Sequence, residues 1–293
     1  MQALVVASEA LASGAVTRQQ LRSKYTKLHR DVYALNDLTL TARDRAVAAW
    51  LWSHREATLV GNSATAMLGA KWIADDEIAE LGRSRYTSAK GIVVRSGWIA
   101  DDEIAVRAGI PCTTPARTAF DIGRFTAPDD SIVRIDALLN ATRCSVADVE
   151  VIVGRYPGVR GIRRLRSALE LSDGGAESPQ ETRLRLILIR GGLPRPVTQI
   201  PVVNERGRVV RRIDMGWPQW KVGVEYDGEQ HFSDSTAYEA DIDRLEFLAA
   251  RGWLIVRVSS HHMKSPIAIV RRAESAIVGR GGPPRLHTMT RIS

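Results

Sequence analysis

Residues 213–231 constrain this chain more than any other stretch. Val222, Val224 and Tyr226 alternate with Gly223, Glu225 and Asp227. A period of two marks a strand that lays one face on a core. Glu225 and Asp227 therefore share one face, and Val224 and Tyr226 the other. Ile213-Asp214-Met215-Gly216-Trp217 reads as the neighbouring strand, so Asp214 joins the two acids, and His231 follows in the turn beyond them. Acids aimed the same way call for a cation, and a divalent metal ion is the usual answer.

The flanking pattern supplies a fold for these strands. Ser178 followed by Pro179 opens a helix that runs to Arg190 and stops at Gly191-Gly192. Strands are predicted near 196–203, 208–214 and 220–227, with Asn204 to Gly207 as the first turn. A helix over 236–251, a buried strand at 253–258 and a helix from Pro266 complete the order: helix, three strands, helix, strand, helix. The Ser172-Asp173-Gly174-Gly175-Ala176 stretch is the best linker in the chain. The expected division is a domain over 1–171, a second over 172–280, and a flexible tail over 281–293.

The first domain reads as mostly helical. Residues 2–12 and Arg18–Lys24 read as helices, the second opened by a Thr17–Gln20 capping box, and 28–35 as a strand. Thr41 caps a helix through Arg55, and Asn62 or Ser63 caps another through Leu68. Residues 91–98 read as a strand, Thr114-Pro115 opens a helix, and further helices follow over 131–140, 145–153 and up to Leu171. One string occurs twice, as Trp72 to Ala79 and Trp98 to Ala105, both reading Trp-Ile-Ala-Asp-Asp-Glu-Ile-Ala. Two copies make no solenoid. Acids crowd the first turns of helices, so each copy is expected to be an exposed helix start. The fold class is thus α/β, with a mostly helical N-terminal part.

Charge is unevenly spread over the 293 residues. The net charge is +8 and the pI near 9.9, which points to an anionic partner, nucleic acid first. Eight arginines against Glu205 fall within 183–212, and eight acids against Lys221 and Arg244 within 221–250. Cations that hold phosphate beside carboxylates that hold metal suit a nuclease; compensating solvated faces are the plainer reading. Cys112 and Cys144 make no metal or disulfide framework and read as buried thiols of a reducing, cytoplasmic protein. No apolar run approaches the ~20 residues that span a bilayer, so no membrane partner is expected.

Glu181, Asp214 and Glu225, in that order of elements, resemble the PD-(D/E)XK restriction-endonuclease-like superfamily. Ser178-Pro179-Gln180-Glu181, Arg212-Ile213-Asp214, Val224 through His231, Asp243-Arg244 and Arg251-Gly252-Trp253 with Val256-Arg257-Val258 resemble one branch more closely. That branch is domain-of-unknown-function family 559, related to the very-short-patch repair endonucleases. The resemblance implies a Mg²⁺- or Mn²⁺-dependent DNA endonuclease, with Asp214 and Glu225 as metal ligands, Glu181 as the helical acid and His231 as general base or proton donor. Arg244 or Arg257 would touch phosphate or brace the acids, and Arg183, Arg211 and Arg212 would meet DNA. The superfamily carries Lys two residues after the second acid, where this chain carries Asp227. That leaves an alternative expectation: a DNA-binding regulator whose nuclease fold does not cut. Gly14 to Leu21, Asp31-Val32-Tyr33, Gly61 to Ala64 and Gly109 to Thr118 are similar to abortive-infection-type antitoxin proteins. That similarity implies a winged-helix-like start, and with it a toxin or repair partner is expected.

Overall fold

The computed structural model describes residues 3–82, 89–228 and 235–285, with backbone alone over 235–241. The chain divides into two compact units, Met1–Gly174 and Gly175–Ser293. Helices mix with three sheets across the described residues, the α/β class expected of the sequence. No described helix is long and apolar enough to cross a membrane.

The first unit opens with β1 (Leu4–Val6), α1 (Ala7–Ala12), α2 (Arg18–Lys24), β2 (Tyr25–His29) and β3 (Val32–Leu35). The strands form an antiparallel sheet in the order β1-β3-β2. Thr17 and Gln20 make both halves of the capping box. Two expectations need correction. The start of the predicted first helix is strand, because Leu4 to Val6 pair with β3. The strand predicted over 28–35 is a hairpin. Asp31 turns the chain with a left-handed φ of 64°, and its carboxylate accepts the Ser8 amide and hydroxyl at 3.0 and 2.5 Å.

A second sheet follows. Its strands alternate with α3 (Ala42–Trp52) and α4 (Gly61–Met67): β4 (Thr58–Leu59), β5 (Ala79–Gly82), β6 (Ile92–Arg95), β7 (Ile104–Arg107) and β8 (Ile110–Thr113). They line up as β6-β5-β4-β8-β7. The prediction of a mostly helical unit missed most of this sheet; only the strand read over 91–98 is present, as β6. The strands are two to four residues long, and β5 is buried at every position, so no alternation marks it. Helices α5 (Pro115–Phe125), α6 (Pro128–Ala141), α7 (Val146–Arg155) and α8 (Ile162–Leu171) complete the unit. Neither Asn62 nor Ser63 caps α4. Instead the Glu80 carboxylate from β5 accepts the Asn62 amide at 3.2 Å, while the Ser63 hydroxyl accepts the Glu80 amide at 2.8 Å. Cys112 is buried on β8; Cys144 is half-buried, and burial pushes its thiol up to about 11.

The duplicated string starts no α-helix; its second copy makes a single 3₁₀ turn at Asp101–Glu103. In both copies the Glu amide donates to the Ala three residues back, Glu77 to Ala74 at 3.0 Å and Glu103 to Ala100 at 2.9 Å. The chain then enters a strand, at Ala79 for β5 and at Ile104 for β7. Each Glu receives an arginine from a helix, Arg134 of α6 on Glu77 and Arg117 of α5 on Glu103. The acids that look like a helix dipole cap in sequence are partners for cations far along the chain.

The second unit holds α9 (Pro179–Arg190), β9 (Val197–Val203), β10 (Val209–Trp217), β11 (Val222–Asp227), α10 (Ser235–Ala250), β12 (Leu254–Ser259) and α11 (Pro266–Gly279). This is the predicted order. The sheet runs β12-β11-β10-β9, antiparallel from β9 to β11, with β12 parallel to β11. A parallel neighbour needs a crossover, and α10 provides it. Leu184 and Leu188 of α9 and Ile269, Ala273 and Ile277 of α11 pack on Trp217, Val222, Val224 and Val258. Leu248 of α10 packs in a separate cluster with Ile200, Val202, Ile213 and Trp253. Arg285 pairs with Glu274 at 3.2 Å; residues 286–293 of the expected tail lie outside the described residues.

Gly216 pairs with Gly223 where β10 meets β11. A Cβ at Gly216 would stand 2.3 Å from the Val222 carbonyl oxygen, and that oxygen is backbone and cannot swing away. Gly216→Ala is expected to cost roughly 1–3 kcal/mol as the strands are forced apart. Urea unfolding of the two proteins side by side measures it.

Candidate functional site

The acids of the second unit come from three elements. Glu181 sits in the first turn of α9, because Ser178 caps that helix and Pro179 fixes its start. The Glu181 amide donates to Ser178 Oγ at 3.2 Å. In return its carboxylate accepts Ser178 Oγ and the Glu177 amide, both at 2.9 Å. A carboxylate at a helix N-terminus also meets the positive end of the dipole.

Asp214 lies on β10. The register pairs Met215 with Val224, and one step further along sets Asp214 across from Glu225. The Tyr226 amide donates to Asp214 Oδ2 at 2.9 Å, which ties the two strands together at this level. Glu225 is only 3% exposed, and Arg244 of α10 donates to its Oε1 at 2.6 Å. Asp227 ends β11 and accepts Arg257 of β12 at 2.6 Å. Arg257 is the register partner of Glu225 on the parallel strand. The face assignment from the sequence is thus realised: Val224 and Tyr226 pack with the α9–α11 cluster, while Glu225 and Asp227 meet arginines.

Burial is the main electrostatic fact here. It pushes the Asp214 carboxyl up to about 6, with Glu225 adding to the rise and the Tyr226 amide and Arg244 opposing it. Burial also raises Glu181, and the charge of Asp214 adds to that rise. Glu181, Asp214 and Glu225 therefore sense one another as a cluster, although they are 33 and 11 residues apart along the chain.

Gln199 was not legible as a site residue. It takes a left-handed φ of 49° within β9 and brings Nε2 to 3.5 Å from Glu181 Oε2. A non-glycine residue held there costs on the order of 1 kcal/mol, and such strain gathers at functional sites. Its only sequence signal would be a polar residue inside an otherwise apolar strand.

The remaining predicted residues separate. His231 lies outside the described residues. Arg183 is exposed on α9, and Arg211 and Arg212 are exposed on β10. Arg244 and Arg257 pair with Glu225 and Asp227 and stay partly exposed. Among the described residues no three His, Cys, Asp or Glu side chains form a ready ligand set. Mg²⁺ asks for less, since it takes one or two carboxylates and keeps its waters. Asp214 and Glu225 are that kind of donor pair.

The architecture defines an α/β unit with a buried acid cluster braced by arginines, set in one chain with a separate mixed unit. Within the latter, residues 77–171 match the family of the AbiEi antitoxin C-terminal domain. That segment carries the second sheet from β5 onward, both Glu–Arg pairs of the duplicated string and helices α5 to α8. Over 251 residues the chain is 29% identical to an uncharacterized protein of Mycobacterium tuberculosis strain H37Rv, covering 83% of this chain and 90% of that one. An uncharacterized protein of strain CDC 1551 / Oshkosh matches over the same length with the same identity. No solved structure matches.

Proposed function

We propose that the second unit is a metal-dependent DNA endonuclease domain, carried in one chain with an antitoxin-like segment. The observation that carries the reading is the Asp214–Glu225 pair: two acids on adjacent strands, one of them raised to about 6 by burial and by its neighbour. A buried like-charge pair costs stability, so its presence favours use over structure. Asp214 and Glu225 would hold Mg²⁺ or Mn²⁺. Bound there, the ion would supply an activated water and charge stabilisation for phosphodiester hydrolysis.

The chain's own groups do the rest. Glu181, held by Ser178, the Glu177 amide and Gln199, would accept a proton from a water beside the pair. Arg244 orients Glu225 by donating to its Oε1. Arg257, held by Asp227 and registered beside Glu225, provides a fixed positive charge next to the second acid.

The second reading is an antitoxin-like, DNA-binding protein that does not cut. The match over residues 77–171 favours it, and a toxin would then be its partner. Supercoiled plasmid incubated with the full chain and Mg²⁺ or Mn²⁺, with and without a chelator, separates the two. Nicked or linear product that the chelator suppresses supports the endonuclease. Duplex binding with no product under either metal supports the second reading and removes the first.

A further inference from the structure

The turn between β9 and β10, with the start of β10, is a strongly cationic exposed feature of the second unit, and the acid cluster makes no use of it. Arg206, Arg208, Arg211 and Arg212 are all exposed there, with Glu205 as the only acid between Val203 and Ile213. None of these four guanidiniums forms an ion pair with a described residue; Arg211 reaches only the Val210 carbonyl beside it, at 3.3 Å. Four unpaired charges side by side repel one another, and an anion relieves that repulsion.

The tip is also built to hold its shape. Asn204 Oδ1 accepts the amides of Arg206 and Arg208, each at 3.0 Å, and the Asn204 amide donates to the Arg208 carbonyl at 2.9 Å. Gly207 supplies the left-handed residue, φ 72°, that closes the loop. A register shift between Val209 and Arg211 marks a bulge. A bulge breaks strict alternation, and here both Arg211 and Arg212 face solvent. Val203, Val209 and Val210 are exposed as well, so the ribbon has no core on either side at its tip.

We infer that this hairpin docks on duplex DNA, lying along the major groove with its arginines on the phosphates. A two-stranded ribbon fits the roughly 12 Å B-form major groove and does not fit the deep, narrow groove of A-form RNA. The inference deepens the endonuclease reading and rests on it for its purpose: Arg212 and Asp214 are two residues apart on β10, about 7 Å along the strand. Phosphate held by the hairpin would run toward the acid pair.

The test is binding of a fluorescein-labelled 20-base-pair duplex by anisotropy in chelator, from low to moderate salt. Arg206→Ser/Arg208→Ser/Arg211→Ser/Arg212→Ser is compared with the unaltered chain. Four lost phosphate contacts should lower the slope of log affinity against log salt by about 3–4, with at least a tenfold loss of affinity in moderate salt. Arg271→Ser/Arg280→Ser, exposed on and beyond α11, should leave the slope unchanged, and unfolding curves of all variants should coincide. An unaltered chain that does not bind duplex, a hairpin variant with an unchanged slope, or equal loss from the α11 control overturns the inference. So does loss confined to anionic phosphatidylserine vesicles with DNA binding intact. Hairpin-dependent binding without any plasmid cleavage sinks the endonuclease reading and leaves this inference standing. Cleavage that the hairpin variant performs equally well does the reverse.

Discussion

On the endonuclease reading, Asp214→Asn is expected to lose metal-dependent plasmid nicking by at least about a hundredfold and, without metal, to be more stable at pH 8. The activity half follows from the donor pair: an amide is a poor Mg²⁺ ligand beside Glu225, and an electrostatic contributor at a phosphoryl site is worth several kcal/mol. Glu225→Gln should fall equally far. The stability half follows from the sign of the pKa shift. The Asp214 carboxyl titrates near 3.8 in an unfolded chain and at about 6 in the fold. The folded state therefore binds the proton more tightly, and stability falls as pH rises from about 4 through 6. Above that window the ionised carboxylate costs on the order of 2–3 kcal/mol. Asparagine keeps an oxygen for the Tyr226 amide and carries no charge, so it escapes the cost. Melting curves in metal-free buffer should coincide near pH 4 and separate by pH 8, with the variant higher. A variant less stable at pH 8, or one that still nicks, would remove Asp214 from the site.

Arg117→Met will destabilise the first unit by roughly 3–5 kcal/mol, the largest effect expected of any single change there. Arg117 is 5% exposed on α5 and binds Glu103, Asp121 at 3.0 Å and the Trp98 carbonyl at 3.3 Å. Its guanidinium also lies over the rings of Phe120 and Tyr156. Methionine fills much of the volume and leaves two buried carboxylates short of their shared cation. Arg155, Arg124 and the Tyr156 hydroxyl remain on those acids and temper the loss. Urea unfolding of the full chain, followed by circular dichroism, reads the change. A shift under 1 kcal/mol would show that the remaining donors suffice. Since these residues fall within the antitoxin-like segment, the same variant tests whether that segment must be folded for any toxin neutralisation.

The second unit was legible because its signals are local. Alternation at Val222–Asp227, the Ser178-Pro179 start of α9, and Gly252 closing α10 each operate within a few residues. Glu181, Asp214 and Glu225 could be named because each sits at a recognisable place on such an element. Gln199 could not, since its approach to Glu181 depends on a left-handed residue and on the pairing of β9 with β10. The two arginine braces were visible as charges, yet their attachment to Glu225 and Asp227 is a matter of packing. In the first unit the Thr17–Gln20 capping box and the Thr41 cap were readable. Most of the five-stranded sheet was not: strands of two to four residues are too short to show a period, and β5 is buried at every position, so only β6 was readable, within 91–98. Glu80 capping α4 and Glu103 receiving Arg117 involve partners 14 or more residues away.

The duplicated octapeptide gives this chain its own internal ruler. Glu77 and Glu103 share the same neighbours in sequence, the same hydrogen-bonded turn and the same kind of arginine partner, but their side chains are 22% and 1% exposed. Removing the charge at each in turn keeps the sequence neighbours fixed while burial and partners change together: Glu77 holds Arg134 and Asn62, and Glu103 holds Arg117, Arg155 and Tyr156. The gap between the two results reads what one sequence gains when the fold gives it a drier and more heavily paired setting.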